Sequence, residues 1–336
     1  MKRHVSSLTI AWVAFFGLVT LAAAQGGNTP APKISQDEQN LAQKINAAPD
    51  PAAKLKAAAD LLKKHPKTSI RGQVADEMAI QIAAVTDPTQ KLALAQQFQT
   101  TFSDPADEET VVPIVIDALA DANQVDQAFA KGSDFLTRHP ESLRVLVELL
   151  SIGTEQAKKQ NAKFLDQSIR YGTQAIAMAE ADKKPANYTP AAWQDFKTRT
   201  VPSMYQSLGL LHMMKGATAE AKAQYTKASQ VAPSDPFNFV MLGAIVNEEY
   251  QSAAKTYQGM ASGPEKDAQL KKVQDLLDIV IDAYAHAVGA AEGNAALAQI
   301  RQQYLQDLEK YYKYRHKGST EGMQQLIDKY KTAPKP

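Results

Sequence analysis

The chain has no cysteine. That absence excludes disulfides, thiolate zinc or iron–sulfur ligation, a thiol nucleophile, covalent c-type haem attachment and a lipid anchor on cysteine. Charge of one sign is missing too: 37 Lys and Arg stand against 36 Asp and Glu, a formal +1. A nucleic-acid binder carries a basic excess or stripe, so nucleic acid is not an expected partner. The histidines make no H-x-x-x-H or H-E-x-x-H pair, and no G-x-S-x-G elbow, P-loop or D-x-D-x-D-G calcium loop occurs. These spacings are what zinc, nucleophilic, phosphate and calcium chemistry require. No catalytic residue, metal or cofactor is therefore expected, and the chain reads as a non-enzyme. Long apolar runs are also absent after the first 24 residues.

What is present starts with an address. Lys2 and Arg3 precede an apolar stretch from Leu8 to Leu21, and Ala22-Ala23-Ala24 follows. A positive n-region, a short apolar core and small residues two apart form a secretory signal. The apolar run falls short of the ~20 residues that span a bilayer. Residues 1–24 are expected to be cleaved, leaving 35 basic and 36 acidic residues, and 25–35 (QGGNTPAPKIS) to be a flexible linker. The expected location is periplasmic or secreted.

The rest of the chain repeats. Asp50-Pro51 recurs 37 positions later as Asp87-Pro88, and the next origin is Gln124. Five residues on stand Leu55, Leu92 and Phe129; eight on, Ala58, Ala95 and Gly132; eleven on, Leu61, Phe98 and Phe135. Each copy ends in a breaker: His65-Pro66, Ser103-Asp104-Pro105, His139-Pro140. Apolar residues fall every three to four positions within each half, as in Leu55-Ala58-Leu61-Leu62, Val74-Met78-Ile80-Ile82 and Val111-Ile114-Ile116-Leu119. That period is helical, and no stretch alternates with the period of a strand. The unit is two antiparallel helices. Pairs are expected near 36–65, 67–103, 106–139, 142–180, 191–232 and 237–290.

One copy is sharper than the others. Tyr205, Leu208-Gly209, the turn glycine Gly216, Ala221, Tyr225, Ala228 and Pro233 follow one another over residues 202–236. This pattern resembles the tetratricopeptide repeat (TPR), with His212 where that family often has Tyr. The resemblance is weaker over 36–180, where the period is 37. It implies an all-α fold: a right-handed α-solenoid of about six TPR-like helix hairpins closed by a C-terminal capping helix. One hairpin cannot bury its apolar face alone, so several must stack. The parts are divergent repeats at 36–180, a loop insertion at 181–192, TPR repeats at 193–292, capping helices at 293–331 and a disordered tail at 332–336. Phe239 to Gly243 begins the last hairpin, and its matching aromatic is delayed to Tyr284, so 237–290 should be an elongated pair turning at Ser262-Gly263-Pro264.

The TPR resemblance implies a scaffold or adaptor that takes a peptide or protein segment in a groove, here a partner in the cell envelope. Candidate groove residues are Gln206, His212, Asn238 and Met241. A second reading is an envelope assembly or polysaccharide-binding role. It rests on the interleaved basic and aromatic segment ending the last long helix, with Lys313, Tyr314, Arg315 and Lys317 as contacts. The plainer reading of that segment is a capping helix with basic residues at its C-terminus. His65 and His139 share a repeat position at a helix end, and Asp107-Glu108-Glu109 reads as a solvated helix start. Asn187-Tyr188-Thr189 matches a glycosylation sequon.

Overall fold

The computed structural model describes residues 34–186 and 188–331, so the expected signal segment, most of the expected linker, Asn187 of the sequon and the expected tail lie outside the described residues. Among the described residues there is no strand. The chain divides into two compact units, one ending at Ile152 and one beginning at Gly153.

The first unit contains α1 (Gln36–Ala47), α2 (Pro51–Lys64), α3 (Arg71–Ala83), α4 (Pro88–Thr101), α5 (Glu108–Asp121), α6 (Val125–Arg138) and the start of α7 (Leu143–Lys158). The recurring Asp-Pro pairs are helix starts. Asp50 accepts from Ala53 N at 2.8 Å and Asp87 from Gln90 N at 2.7 Å, with proline in the first turn of each helix. The carboxylate takes a backbone N–H that the helix cannot satisfy, and proline there has no N–H to lose. The copy at Gln124 lacks such a cap and enters α6 through Asn123 in the left-handed region, at φ 59°.

Consecutive helices form hairpins, α1 with α2, α3 with α4 and α5 with α6, while α2 lies against α4 and α3 against α5. Two layers result. Leu55, Ala58, Leu61, Phe98, Phe129 and Phe135 are all buried, as their repeat offsets require. Gly132 is small because a Cβ there would come within 2.7 Å of Leu149 on α7. Two residues depart from the periodic expectation. Ile80 is 48% exposed, and Leu92 gives up the fully buried place on α4 to its neighbour Lys91.

The second unit continues with α8 (Leu165–Glu180), α9 (Pro190–Asp195), α10 (Val201–Met214), α11 (Thr218–Val231), α12 (Pro236–Gly259), α13 (Pro264–Ala290), α14 (Ala298–Arg315) and α15 (Met323–Asp328). Helix α8 packs on α10, α10 on α11, α11 on α12, α12 on α13, and α13 on both α14 and α15. The turn before α9 folds back on itself. Trp193 Nε1 donates to Asp182 at 2.7 Å and the indole stacks on Phe196 with 5.4 Å between ring centroids.

In two hairpins a glycine facing a tyrosine sets how closely the paired helices approach. A Cβ on Gly209 would stand 2.7 Å from the Tyr225 ring, and one on Gly243 would overlap Tyr284. The first pair is 16 residues apart in sequence and the second 41. The added residues lengthen both arms, giving helices of 24 and 27 residues. At ~1.5 Å per residue the arms gain roughly 15 and 20 Å over the shorter hairpin. The turn between them uses Gly263 at φ 151°, as the Ser-Gly-Pro sequence predicts.

Candidate functional site

The expected TPR-type residues assemble around the α10/α11 hairpin. Leu208, Ala221, Tyr225 and Ala228 are fully enclosed, and Gly216 makes the turn at φ 76°. Tyr205 is buried and its hydroxyl donates to Glu180 Oε1 at 2.6 Å. Lys227 reaches the same carboxylate at 3.1 Å. Pro233 lies just past α11, and its carbonyl accepts from His286 Nε2 at 3.1 Å.

The four groove candidates come from α10 and α12 but do not share one environment. Asn238 is 0% exposed, with its amide donating to the Ala232 carbonyl at 3.3 Å. Gln206 Nε2 donates to Asn238 Oδ1 at 2.8 Å and to Asp235 at 2.7 Å. These two side chains join the starts of successive hairpins. Asn238 thus sits inside a helix contact and not on a groove surface, because an enclosed amide must find its partners within the protein. Met241 is half-buried and packs with Met213 and Leu242 on Ala221, Tyr225 and Ile245. His212 is half-buried with an enclosed Nδ1 that has no hydrogen-bond partner. Burial pushes its pKa down, Glu220 pulls against that shift, and Lys215 adds to it. Met214 at the end of α10 is 41% exposed and Phe237 at the start of α12 is 47% exposed. No sequence period singled these two out, since an exposed apolar residue on a helix looks like a core residue in a one-dimensional pattern.

The C-terminal segment is tied down. Lys313 pairs with Glu309 at 2.5 Å, and Arg315 makes two bonds to Asp278 at 2.7 and 3.0 Å. Asp278 thereby holds the Arg315 guanidinium above its usual range. Tyr312 is buried and donates to the Glu321 carbonyl at 2.7 Å, and its ring stacks on His316. Lys317 lies exposed in a left-handed turn at φ 54°. Tyr314 is 71% exposed. Tyr330 completes the cap. Its ring stacks on His286, which stacks in turn on Phe239, at 4.1 and 3.4 Å between centroids.

The first unit carries a charged network that the repeat pattern hid. Asp107 is buried, not solvated, and accepts from Arg71 through Nε at 3.0 Å and Nη2 at 2.6 Å. The fork geometry suits a carboxylate in a low-dielectric place. Glu109 accepts from Ser142 at 2.9 Å, and Glu108 pairs with Arg138 and with His139 at 3.3 Å. His65 pairs likewise with Asp37 at 2.8 Å, so both histidines turn the end of a hairpin back onto an acid at its start. Lys91 is buried and bridges Asp117 at 2.5 Å and Asp121 at 2.7 Å. Burial opposes its charge, but the two acids outweigh it and hold its pKa above the ordinary value. Beside them Glu148 on α7 is pushed up to about 8, chiefly by burial and then by Asp117, with Arg144 and Lys91 opposing. The available signal was a charged residue at a core offset: Lys91 stands where the next copy has Ala128, and Glu148 interrupts an apolar run.

Among the described residues no group of three His, Cys, Asp or Glu is placed to hold a metal, and no helix is long and apolar enough to cross a membrane. The geometry is that of an all-α chain of helix hairpins packed in sequence order within each unit. No family model and no curated protein matches the sequence. Among solved structures, the chain is similar to a tetratricopeptide repeat protein from Parabacteroides merdae at 10% identity and a TM-score of 0.41, over 81% of this chain and 100% of that one.

Proposed function

We propose that the protein is a non-enzymatic interaction scaffold that binds a peptide or protein segment across α10 and α12. The observation that supports this is the exposure of two large apolar side chains, Met214 at the end of α10 and Phe237 at the start of α12. Large exposed apolar side chains are what an incoming chain would cover. The signal-like start, with Lys2, Arg3 and the Leu8–Leu21 run, supports export, and the partner would then lie in the cell envelope. The pairing of Lys313 and Arg315 with acids favours this surface over the C-terminal segment, where little uncompensated charge remains for a polyanion.

Photo-crosslinking from position 214 or 237 in the native cell, read by mass spectrometry, tests the surface. A defined partner captured from these sites and lost in Phe237→Asp is the expected result. Capture unchanged by Phe237→Asp, or capture only from position 314, overturns it. Fractionation with N-terminal sequencing tests export, with Gln25 the expected first residue.

A further inference from the structure

The last described stretch of the chain, residues 319–331, is a strap laid on α13. Its helix α15 has six residues, too short to hold its own shape in water. The turn that joins it to α14 takes left-handed backbone at Lys317, Gly318 and Gly322, with φ of 54°, 94° and 86°. Contacts with the rest of the unit therefore hold the strap in place. Ile327 is 1% exposed and enters the core that contains Val288, Leu308 and Tyr312. A Cβ on Gly289 would stand 2.6 Å from the Ile327 carbonyl, so glycine there leaves the strap its room. Lys331 pairs with Glu292 at 2.9 Å, and the Tyr330 hydroxyl donates to Asp282.

The end of the strap closes on a histidine. The His286 ring lies between Phe239 of α12 and Tyr330, nearly parallel to both, at interplanar angles of 15° and 11°. Its Nε2 donates to the Pro233 carbonyl, which the neutral ring does with its one N–H. Carboxylates and lysines keep their charge between about pH 5 and 8, so the imidazole is the group of this contact that changes state. The charges that face it are Asp282 on its own helix and Lys329 on the strap. Helix α12 and the turn before it bring a phenyl ring and a carbonyl. An aromatic face attracts a cation. Tyr330, however, already carries the Lys329 ammonium 4.7 Å from its centroid, and Asp282 is engaged by the Tyr330 hydroxyl. A second cation on that ring is repelled by the first, in a half-buried slot where charge is poorly hydrated. Burial accordingly pulls the His286 pKa down, the Pro233 bond and Asp282 only partly restoring it and Lys329 adding to the fall.

We propose that residues 319–331 are an acid-released strap, docked on α13 while His286 is neutral and set free as His286 gains a proton. The docked chain holds that proton less tightly than the free chain does. Docking is therefore complete above the ordinary histidine range and weakens as pH falls below it. Release withdraws Ile327 from the core and uncovers α13 along Asp282, His286 and Gly289, a face on which a backbone already fits closely. The strap is held by residues other than Met214 and Phe237, and it stands or falls independently of the scaffold reading.

The test is hydrogen exchange of the full chain at about pH 8 and about pH 5, read as protection factors with the middle of α12 as the reference. The amides of Lys329 and Tyr330, which donate to Gln325 and Ile327 within the strap, should lose at least threefold in protection in acid while α12 keeps its own. The His286 ring, followed by NMR, should titrate below the ordinary histidine value and with the same midpoint as the strap. His286→Phe keeps a ring in the stack and removes the proton, so the strap should stay protected at both pH values. Lys329→Met should shrink the response. His316→Gln changes the histidine stacked on Tyr312 at the turn and should leave the response intact. Equal protection of the wild-type strap at both pH values, tighter docking in acid, a His286 ring that titrates at or above the ordinary value, or an undiminished response in folded His286→Phe overturns the proposal.

Discussion

The two units of this protein solve the same packing task with different chemistry. In the first, aliphatic helices are pinned by ion pairs that are partly or fully enclosed: Arg71 with Asp107, and Lys91 with Asp117 and Asp121. In the second, glycine lets a tyrosine lie flat on a helix at Gly209–Tyr225 and Gly243–Tyr284, and tyrosines fill the C-terminal core around Leu308. Ion pairs demand a partner, so their loss leaves a buried charge. Glycine–tyrosine contacts demand space, so their loss comes from adding atoms. The units should therefore fail under opposite kinds of substitution.

The largest effect is expected from filling that space. Gly209→Leu forces the Tyr225 ring off α10 and should destabilise the second unit by ~3 kcal/mol or more. For a unit of this size that is a fall of roughly 6–12 °C in melting temperature. The chain has two tryptophans, Trp12 and Trp193, so in a Trp12→Phe background fluorescence reports the second unit. An unchanged fluorescence transition would refute the contact.

Next is the removal of one charge from the first unit. Arg71→Ala strands Asp107, whose side chain is 4% exposed, and should cost ~3 kcal/mol. The paired replacement Arg71→Met with Asp107→Leu should recover most of that loss, because no charge is then left enclosed. Circular dichroism should show the early transition of the single variant while the Trp193 signal stays in place. A double variant as unstable as the single one would mean that the pair acts by shape and not by charge.

A pH series sharpens the contrast. Glu148 has a pKa raised by burial, so the folded first unit holds that proton more tightly than the unfolded chain does. Its contribution is complete below the ordinary carboxylate range and is lost as pH rises toward about 8. In the second unit, His212 and His286 have pKa values lowered by burial. Their contribution is complete above the ordinary histidine value and is lost as pH falls below it. Between pH 5 and 9 the first unit should weaken with rising pH and the second with falling pH. Melting curves read by two probes check this, and Glu148→Gln should flatten the first trend. Parallel trends in both probes would break the comparison.

Smaller effects belong to the cap. Tyr330→Ala removes the outer ring of the Phe239–His286–Tyr330 stack and should cost ~1 kcal/mol, seen as faster hydrogen exchange along α15. Replacing Lys313 and Lys317 by Ala should change stability by less than ~0.5 kcal/mol, as exposed charges do. A larger loss would show that Lys313–Glu309 does more than a surface pair.

The helical hairpins were legible because their signals are local. Asp50-Pro51, Asp87-Pro88 and Asp235-Pro236 cap helices through contacts two or three residues away. The glycine and tyrosine positions were legible too, even with Gly243 and Tyr284 41 positions apart, because a small residue and an aromatic at matching helix positions imply a close approach. The site was less readable. Gln206 and Asn238 had the right polarity for a groove, yet they bond to one another. His286 lies in an ordinary repeat helix, and nothing in its neighbours says that Phe239 and Tyr330 close on its ring.

By itself, then, the sequence determined the all-helical class, the hairpin period, the capped starts and the long last pair, all set by backbone hydrogen bonding and the 3.6-residue turn. Tertiary structure alone decided which charges are buried and which remain available. Lys91 and Asp117 meet across 26 positions and Arg71 and Asp107 across 36. Whether a charge is matched depends on what stands opposite it on another helix, and a one-dimensional pattern does not carry that distance.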